Sequence, residues 1–423
     1  MEPFHYTGGE LYCEQLPMRA IAAAHGTPLY VYSAAALREG YRALARAFAP
    51  LSPLVCYAVK ANGNLAVLRL LVELGAGFDV VSGGELVRAQ AAGAPAERIV
   101  FAGAGKREDE IRAALAAGIL CFNVESLPEL DRIDRLAREA GRRARVCLRL
   151  NPEVDPRTHA HIATGSKGTK FGLELETARA ALATIGERTG VELYGLHAHI
   201  GSQIVDPEPY RLAVERLAAL AEQQRAAGRP LRALNLGGGF GIAYRGGRAC
   251  DLEAVARAIV PLLAPLGVRV LLEPGRWIAG PAGVLLTRVE YVKHSGGKRF
   301  LICDSGMHHL LRPALYGAEH PVWPVCAGGP EGSPQAPALA GPADVVGPIC
   351  ETADYLARER PLPEIEAGEL LAVFAAGAYG MVMASNYNAQ PLPAEVLVDG
   401  ARARLVRRRQ RYDELLAPEQ DLP

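Results

Sequence analysis

The sequence predicts an α/β chain: a (β/α)8 barrel of the TIM type that carries a second, β-rich domain. Three observations lead there. Between Leu54 and Arg276, short β-branched apolar runs alternate eight times with Ala/Leu/Arg-rich segments of helical length. Beyond Arg276, strand-like runs are separated mostly by Gly/Pro-rich stretches rather than by helices. The chain has 423 residues, 50% of them hydrophobic, which exceeds one ordinary domain and is enough to bury a large core.

In order, the strand-like runs are Leu54–Val59, Phe78–Ser82, Ile99–Gly103, Cys121–Val124, Arg145–Asn151, Leu193–Gly201, Ala233–Gly239 and Val268–Pro274. Helix candidates between them include Asn64–Leu74, Glu108–Ala117, Leu127–Ala140, Pro207–Ala227 and Leu252–Leu263. Each run is apolar enough to be buried and is followed by its own crossover, which favours a closed parallel barrel over the open doubly wound sheet. The barrel is assigned to residues 31–276. Residues 277–423, with strand-like runs Val284–Val292, Phe300–Cys303, Leu370–Phe374 and Glu395–Val398, form a β-sandwich or β-barrel domain together with residues 1–30. The alternating piece Phe4–Cys13 can return to join those strands. The Pro/Gly/Ala-rich stretch Gly328–Pro342 reads as a surface loop.

Charge narrows the partners. The 46 Lys and Arg balance 46 Asp and Glu, so no field is present to hold a nucleic-acid backbone or an anionic membrane, and a small-molecule ligand is expected. Residues 1–10 lack a basic start followed by an apolar core, and no later stretch is uncharged and apolar for the length of a membrane span, which predicts a cytoplasmic protein. The eight cysteines (Cys13, Cys56, Cys121, Cys147, Cys250, Cys303, Cys326 and Cys350) show no Cys-x-x-Cys pair and no regular spacing. Neither a disulfide framework nor a metal site is expected, and most should be buried thiols.

Barrel enzymes assemble their sites at the C-terminal ends of the strands, and here those ends carry the least core-like residues. Strand one runs into Tyr57-Ala-Val-Lys-Ala-Asn62, where Lys60 is either a snorkelling surface residue or an amine held in the barrel mouth for Schiff-base chemistry. Strand two runs into Asp79-Val-Val-Ser-Gly-Gly-Glu85, where Ser82 can simply cap the next helix and Glu85 can simply be solvated. Strand six ends His197-Ala-His-Ile-Gly-Ser-Gln203. Two histidines two apart on a strand face one way, as metal ligands, as a stacking platform or as hydrogen-bonded core residues. Strand seven ends Asn235-Leu-Gly-Gly-Gly-Phe-Gly241. The run Gly237, Gly238, Gly239 is either a mere turn or a place where backbone N–H groups wrap a phosphate, and the loops after strands seven and eight are the habitual phosphate site of this barrel. Strand eight ends Glu273-Pro-Gly-Arg276, an anion and a cation at the same mouth. Each feature has an ordinary structural reading. Together, an amine, a phosphate cradle, an arginine, a flat ring that can stack and a buried carboxylate are the requirements of pyridoxal 5'-phosphate.

These residues, in this order, resemble the fold-type III, alanine-racemase-like pyridoxal-phosphate enzymes, and among them the decarboxylases of diaminopimelate. The resemblance spans nearly the whole chain. It rests on the strand-end motifs just given, on Thr164-Gly-Ser-Lys-Gly-Thr-Lys-Phe-Gly172, and in the second domain on Asp304-Ser-Gly-Met307, Arg312-Pro-Ala-Leu-Tyr316, Cys350-Glu351 and Gly377-Ala-Tyr-Gly380. It implies that Lys60 bonds the cofactor covalently with Asp79 orienting it, that His199 stacks on the cofactor ring, and that Glu273 pairs with the pyridine nitrogen. A carboxylate there keeps that nitrogen protonated and the ring a strong electron sink. Ser202, Gly237, Gly238, Gly239, Gly275, Arg276 and Tyr379 would surround the cofactor and its phosphate, with Arg276 and Tyr379 shared with the substrate.

The resemblance further implies a homodimer in which second-domain residues complete the neighbour's site. Cys350 would return a proton after carbon dioxide departs, Glu351 would meet a substrate amine, and Arg312 and Tyr316 would bind the distal carboxylate through an arginine fork. The implied reaction is decarboxylation of meso-2,6-diaminopimelate to L-lysine. Two departures bear on fine specificity: Thr352 follows Cys350-Glu351 where serine is commoner, and His308-His309 replaces an Asn-Asp-like pair after Met307. These two histidines otherwise read as structural or surface residues. Within the same fold the alternatives are a decarboxylase of ornithine or arginine, with no obvious use for Arg312-Pro-Ala-Leu-Tyr316, one of a carrier-bound amino acid or siderophore precursor, and a racemase, which would gain from an arginine at the ring nitrogen. From other classes come a metal-dependent barrel hydrolase, whose histidines normally close strand one rather than strand six, and a silent regulator, which the presence of both Lys60 and Cys350 argues against.

Overall fold

The computed structural model describes residues 2–155 and 170–420. The chain divides into two compact units, one comprising Arg38–Ala243 and Arg248–Ile278, the other Met1–Leu37, Tyr244–Gly247 and Ala279–Pro423.

The first unit is a closed barrel of eight parallel strands: Leu54–Ala58, Gly77–Val80, Ile99–Phe101, Cys121–Val124, Ala144–Leu150, Val191–Ala198, Ala233–Asn235 and Arg269–Leu272. Leu271 and Leu272 of strand eight pair with Leu54 and Val55 of strand one, which closes the ring and excludes the open sheet. The strands lack a polar alternation because both faces are covered: Leu54–Ala58 is buried at all five positions. Helices Glu108–Ala117 and Leu252–Leu263 occupy the expected bounds. Two more crossover helices are Gly83–Ala91, the one that Ser82 was expected to cap, and Leu175–Thr184, for which no bounds were assigned. The first opens on two glycines, which hide its helical period. Ser82 caps it, its Oγ accepting the Glu85 N–H at 3.2 Å, while Glu85 Oε2 accepts the Val81 N–H at 2.8 Å. Ser82 therefore does have its plain role, and Glu85 is half-buried rather than solvated.

The second unit contains a nine-stranded mixed sheet. Its path runs Tyr355–Pro363, Leu339–Val346, Lys298–Cys303, Gly283–Ser295, Leu29–Ser33, Ala394–Asp399 and Arg402–Arg407, with Leu370–Val373 paired both to Gly283–Ser295 and to Val322–Pro324. Leu29–Ser33, buried at every residue, lies between Gly283–Ser295 and Ala394–Asp399, so both ends of the chain build one sheet. The alternating N-terminal piece forms the hairpin Phe4–Thr7 and Gly9–Cys13, which pairs with Cys326–Gly328 in a smaller sheet.

One expectation fails. Part of the stretch read as a surface loop belongs to the strand Leu339–Val346, where Leu339, Gly341 and Pro342 pair with Pro363, Leu362 and Pro361. Prolines fit there because the pairing with Lys298–Cys303 begins only at Ala343, so the strand's other edge asks for no N–H at Pro342. Six cysteines are buried, Cys326 and Cys350 are exposed, and all eight are free thiols. Among the described residues no helix is long and apolar enough to cross a membrane.

Candidate active site

Polar side chains from most of the barrel strands gather at the C-terminal end of the barrel. Strand one stops at Ala58, and the single turn Val59–Ala61 presents Lys60. Its Nζ lies 2.6 Å from Oδ2 of Asp79, a side chain fully buried in strand two, where Asp79 is the register partner of Ala58. Burial, reinforced by the Glu273 charge, pushes the Asp79 carboxyl up to about 7 against the pull of Lys60. Oδ1 of Asp79 is buried without a hydrogen-bond partner among the described residues. The short bridge fixes the direction of the amine.

Glu273 follows strand eight directly. Asn123 in strand four and Asn235 in strand seven both donate through Nδ2 to its Oε1, at 2.8 and 2.6 Å. Nε2 of His197, in strand six, lies 3.3 Å from Oε2. Burial alone would raise the carboxyl, but His197, Lys60 and the Asn235 hydrogen bond outweigh it and hold Glu273 well below the usual carboxylate range. This is a buried carboxylate kept ionised.

The two histidines do not act as a pair on one strand face, because strand six ends at Ala198. His197 is buried against Glu273, whereas His199, one residue beyond the strand, accepts the Gly238 N–H on Nδ1 at 3.1 Å. Burial and the Arg149 and Lys60 charges push His199 well below the ordinary histidine value. It is a neutral ring with its proton on Nε2.

The glycine run cannot carry side chains. Gly237 (φ +65°) and Gly239 (φ +94°) adopt left-handed backbone, and a Cβ at Gly238 would come within 2.1 Å of the Glu273 carbonyl oxygen. A Cβ at Gly239 would come within 2.5 Å of the Gly201 oxygen. The residue after Gly201 is Ser202, whose Oγ accepts from Arg276 Nη2 at 2.9 Å and Nε at 3.3 Å. Gly275 packs the Arg276 turn against the Lys60 turn, since a Cβ there would stand 2.9 Å from that of Ala61. An amine, a flat neutral imidazole, an ionised carboxylate, a bare glycine turn and an arginine–serine pair make a donor set that fits pyridoxal phosphate.

Arg312, Tyr316, Cys350, Glu351 and Tyr379 belong to the sheet unit. Arg312 opens the short helix Arg312–Tyr316 and is buried. Its Nη1 donates to Nε2 of His320 at 2.8 Å, and its guanidinium lies 4.8 Å from the centre of the Tyr244 ring. His320 in turn gives its Nδ1 hydrogen to the Phe374 oxygen at 2.9 Å, which makes it the neutral tautomer that Arg312 requires. Tyr316, at the other end of the helix, is half-buried. Cys350 is exposed, with its backbone N–H on Asn388 Oδ1 at 3.3 Å, and the exposed Glu351 carboxylate accepts the Tyr387 hydroxyl, which raises that phenol above its ordinary value. Tyr379 has φ +56°, an uncommon conformation for a residue with a side chain. His308 and His309 are interior residues, buried with ring centres 3.6 Å apart.

Several residues of these groups escaped the sequence. Asn123 and Asn235 hold Glu273, and the available signal was a polar residue within a buried apolar strand. Lys106 is wholly buried, its Nζ donating to the oxygens of Gly103 and Asn123 at 2.8 Å each and to Glu129 Oε1 at 2.6 Å. Arg149 pairs with Glu125 at 2.8 Å beneath Phe171, and Gly172 N–H reaches Glu125 at 3.3 Å. The end of the motif Thr164-Gly-Ser-Lys-Gly-Thr-Lys-Phe-Gly172 thus meets this network, while its residues 164–169 lie outside the described residues. In the sheet unit, Asp354 accepts the N–H groups of Met307 and Ile349 at 2.6 Å each and so ties the Asp304–Met307 loop to the loop bearing Cys350.

The chain is similar to known proteins over its whole length. Residues 34–280 match the family described as pyridoxal-dependent decarboxylase, pyridoxal binding domain. Over 409 residues the chain is 48% identical to the diaminopimelate decarboxylase of Neisseria meningitidis serogroup A, covering 97% of this chain and 98% of that one. It is 48% identical over 425 residues to that of Pseudomonas aeruginosa, covering 100% of both. A crystal structure of diaminopimelate decarboxylase from M. jannaschii in complex with L-lysine superposes with a TM-score of 0.93 at 35% identity, covering 100% of this chain and 98% of that one.

Proposed function

Since the chain belongs to the pyridoxal-dependent diaminopimelate decarboxylases, we propose that its barrel group holds the cofactor and its sheet-unit group reads the substrate, in a cytoplasmic homodimer whose subunits complete each other's sites. The reaction is decarboxylation of meso-2,6-diaminopimelate to L-lysine and carbon dioxide. The observation that supports the cofactor assignment best is Glu273, buried with hydrogen bonds from Asn123 and Asn235 yet held ionised by His197, Lys60 and Asn235.

When bound, pyridoxal phosphate supplies an electron sink for the electron pair left on the α-carbon as carbon dioxide departs. Lys60 is the amine that binds it, oriented by Asp79. Glu273 would pair with the ring nitrogen and keep a proton there, because its own proton affinity is low. His199 lends its flat neutral face to the ring. Gly237, Gly238, Gly239, Ser202, Gly275 and Arg276 would take the phosphate, and Tyr379 would contribute to holding the cofactor. Arg312 and Tyr316 bind the distal carboxylate, Arg276 and Tyr379 assist at the reacting end, and Glu351 meets a substrate ammonium. Cys350, reaching from the second subunit, returns a proton to the α-carbon.

The test is lysine and carbon dioxide formation from meso-diaminopimelate by the purified holoenzyme beside Lys60→Ala. Turnover should fall in the variant by on the order of 10⁴-fold or more. A Lys60-dependent absorbance of the bound cofactor with no turnover of this substrate would sink the substrate assignment and point to ornithine, arginine or a carrier-bound amino acid.

A further inference from the structure

A separate polar cavity of about 200 Å³ lies in the sheet unit, lined chiefly by Arg245, Pro313, Glu319, Tyr355, Arg358 and Arg360. None of the residues assigned above to cofactor or substrate lines it. Arg360 is 3% exposed and donates Nη2 to the His320 oxygen at 3.1 Å, yet its Nε and Nη1 are buried with no hydrogen-bond partner among the described residues. Arg245 Nε is buried and unpartnered in the same way, and its Nη2 stands 3.5 Å from Glu331. Arg358 lies over the ring of Tyr355, its guanidinium 3.7 Å from the ring centre.

Three buried guanidinium nitrogens without an acceptor are costly, and native proteins rarely leave such donors unmet. Crowding two cations adds to the cost: burial first, then the Arg245 charge, draws Arg360 below the usual guanidinium range, with Glu331 and Glu319 offsetting only part of it. Glu319 and Glu331 lie near the two cations, but no acceptor among the described residues meets these three nitrogens. The cavity's volume is below that of pockets that take drug-sized ligands, which restricts an occupant to a few heavy atoms. We propose that this cavity binds a small oxyanion, a phosphate or a compact carboxylate, forked between Arg245 and Arg360. The site adjoins the helix Arg312–Tyr316 through Pro313. Arg360 also grips the carbonyl of His320, the residue whose ring accepts from Arg312, so an occupant sits next to the support of that side chain.

The test is the melting temperature of the holoenzyme, saturated with pyridoxal phosphate so that the cofactor's own phosphate site is filled. It is titrated with inorganic phosphate and separately with succinate, ionic strength being held constant with chloride. A saturating rise of about 1–2 °C with at least one anion, lost in Arg245→Gln and Arg360→Gln, is expected, and which anion produces it tells phosphate from carboxylate. A rise that never saturates, or that persists in Arg245→Gln, overturns the site and leaves water as the partner of these nitrogens. Arg245, whose side chain is 35% exposed, carries the test even if Arg360→Gln does not fold.

Discussion

Two carboxylates of this protein stand in opposite surroundings. Glu273, in the barrel, is buried between two asparagines and a histidine drawn from three strands. Glu351, in the sheet unit, is exposed on a loop with a tyrosine hydroxyl against it. The two proposed catalytic side chains repeat the contrast, since Lys60 is pinned by a buried aspartate while Cys350 is exposed. The barrel group is preorganised: parallel strands set its geometry, and its charges are compensated within the fold. The sheet-unit group rides on loops, and in the proposed dimer it is the second subunit that would exclude water from it.

The contrast is broken hardest at Cys350. Cys350→Ala should lower kcat by about 10²–10⁴-fold while the Lys60-dependent absorbance of the holoenzyme stays as it was; an unchanged kcat would remove Cys350 from the chemistry. Arg312→Lys comes next, raising KM for meso-diaminopimelate about 10–100-fold with kcat little altered, because an ammonium cannot reproduce the fork on a planar carboxylate. A loss confined to kcat would instead place Arg312 in the reacting step.

On the barrel side, Asp79→Asn probes the buried charge through stability. The Asp79 pKa is raised in the folded protein to about 7, so folding binds a proton there. Its contribution is present at low pH and is lost as pH rises from the ordinary aspartate range towards 7. Cofactor-free wild type should therefore lose about 2 kcal/mol between about pH 5 and 7 relative to Asp79→Asn, by denaturant midpoints at each pH. Parallel profiles would mean that Asp79 is ionised throughout. The smallest effect is that of Ser82→Ala, about 1 kcal/mol of stability from the lost cap, with cofactor affinity intact; weakened cofactor binding would move Ser82 into the site.

Much of the barrel was legible because burial on both faces writes its strands as apolar runs, and because the polar residues at their ends break that pattern visibly, as at Lys60, Asp79 and Glu273. What stayed hidden depends on partners remote in the chain. Asn123 looks like a blemish in Cys121–Val124 until its amide is seen on Glu273, and Asp354 looks like loop polarity until two N–H groups are seen on it. The histidine motif misled by a single residue: strand six stops at Ala198, so a two-residue spacing no longer means a shared face. The loop reading failed at Leu339–Pro342 because prolines suggest a loop unless a strand edge is known to need no N–H.

The clamp on Glu273 also ties the proposed site to closure of the ring. Asn123 and Asn235 precede Glu273 by 150 and 38 residues, and the ring shuts only when strand eight meets strand one. A chain still lacking strand eight has the lysine, the histidine and the glycine turn, but neither the anion nor the arginine that follows it. In the proposed site, tight binding of the cofactor is therefore expected to require the closed ring, because the anion and the arginine both follow strand eight.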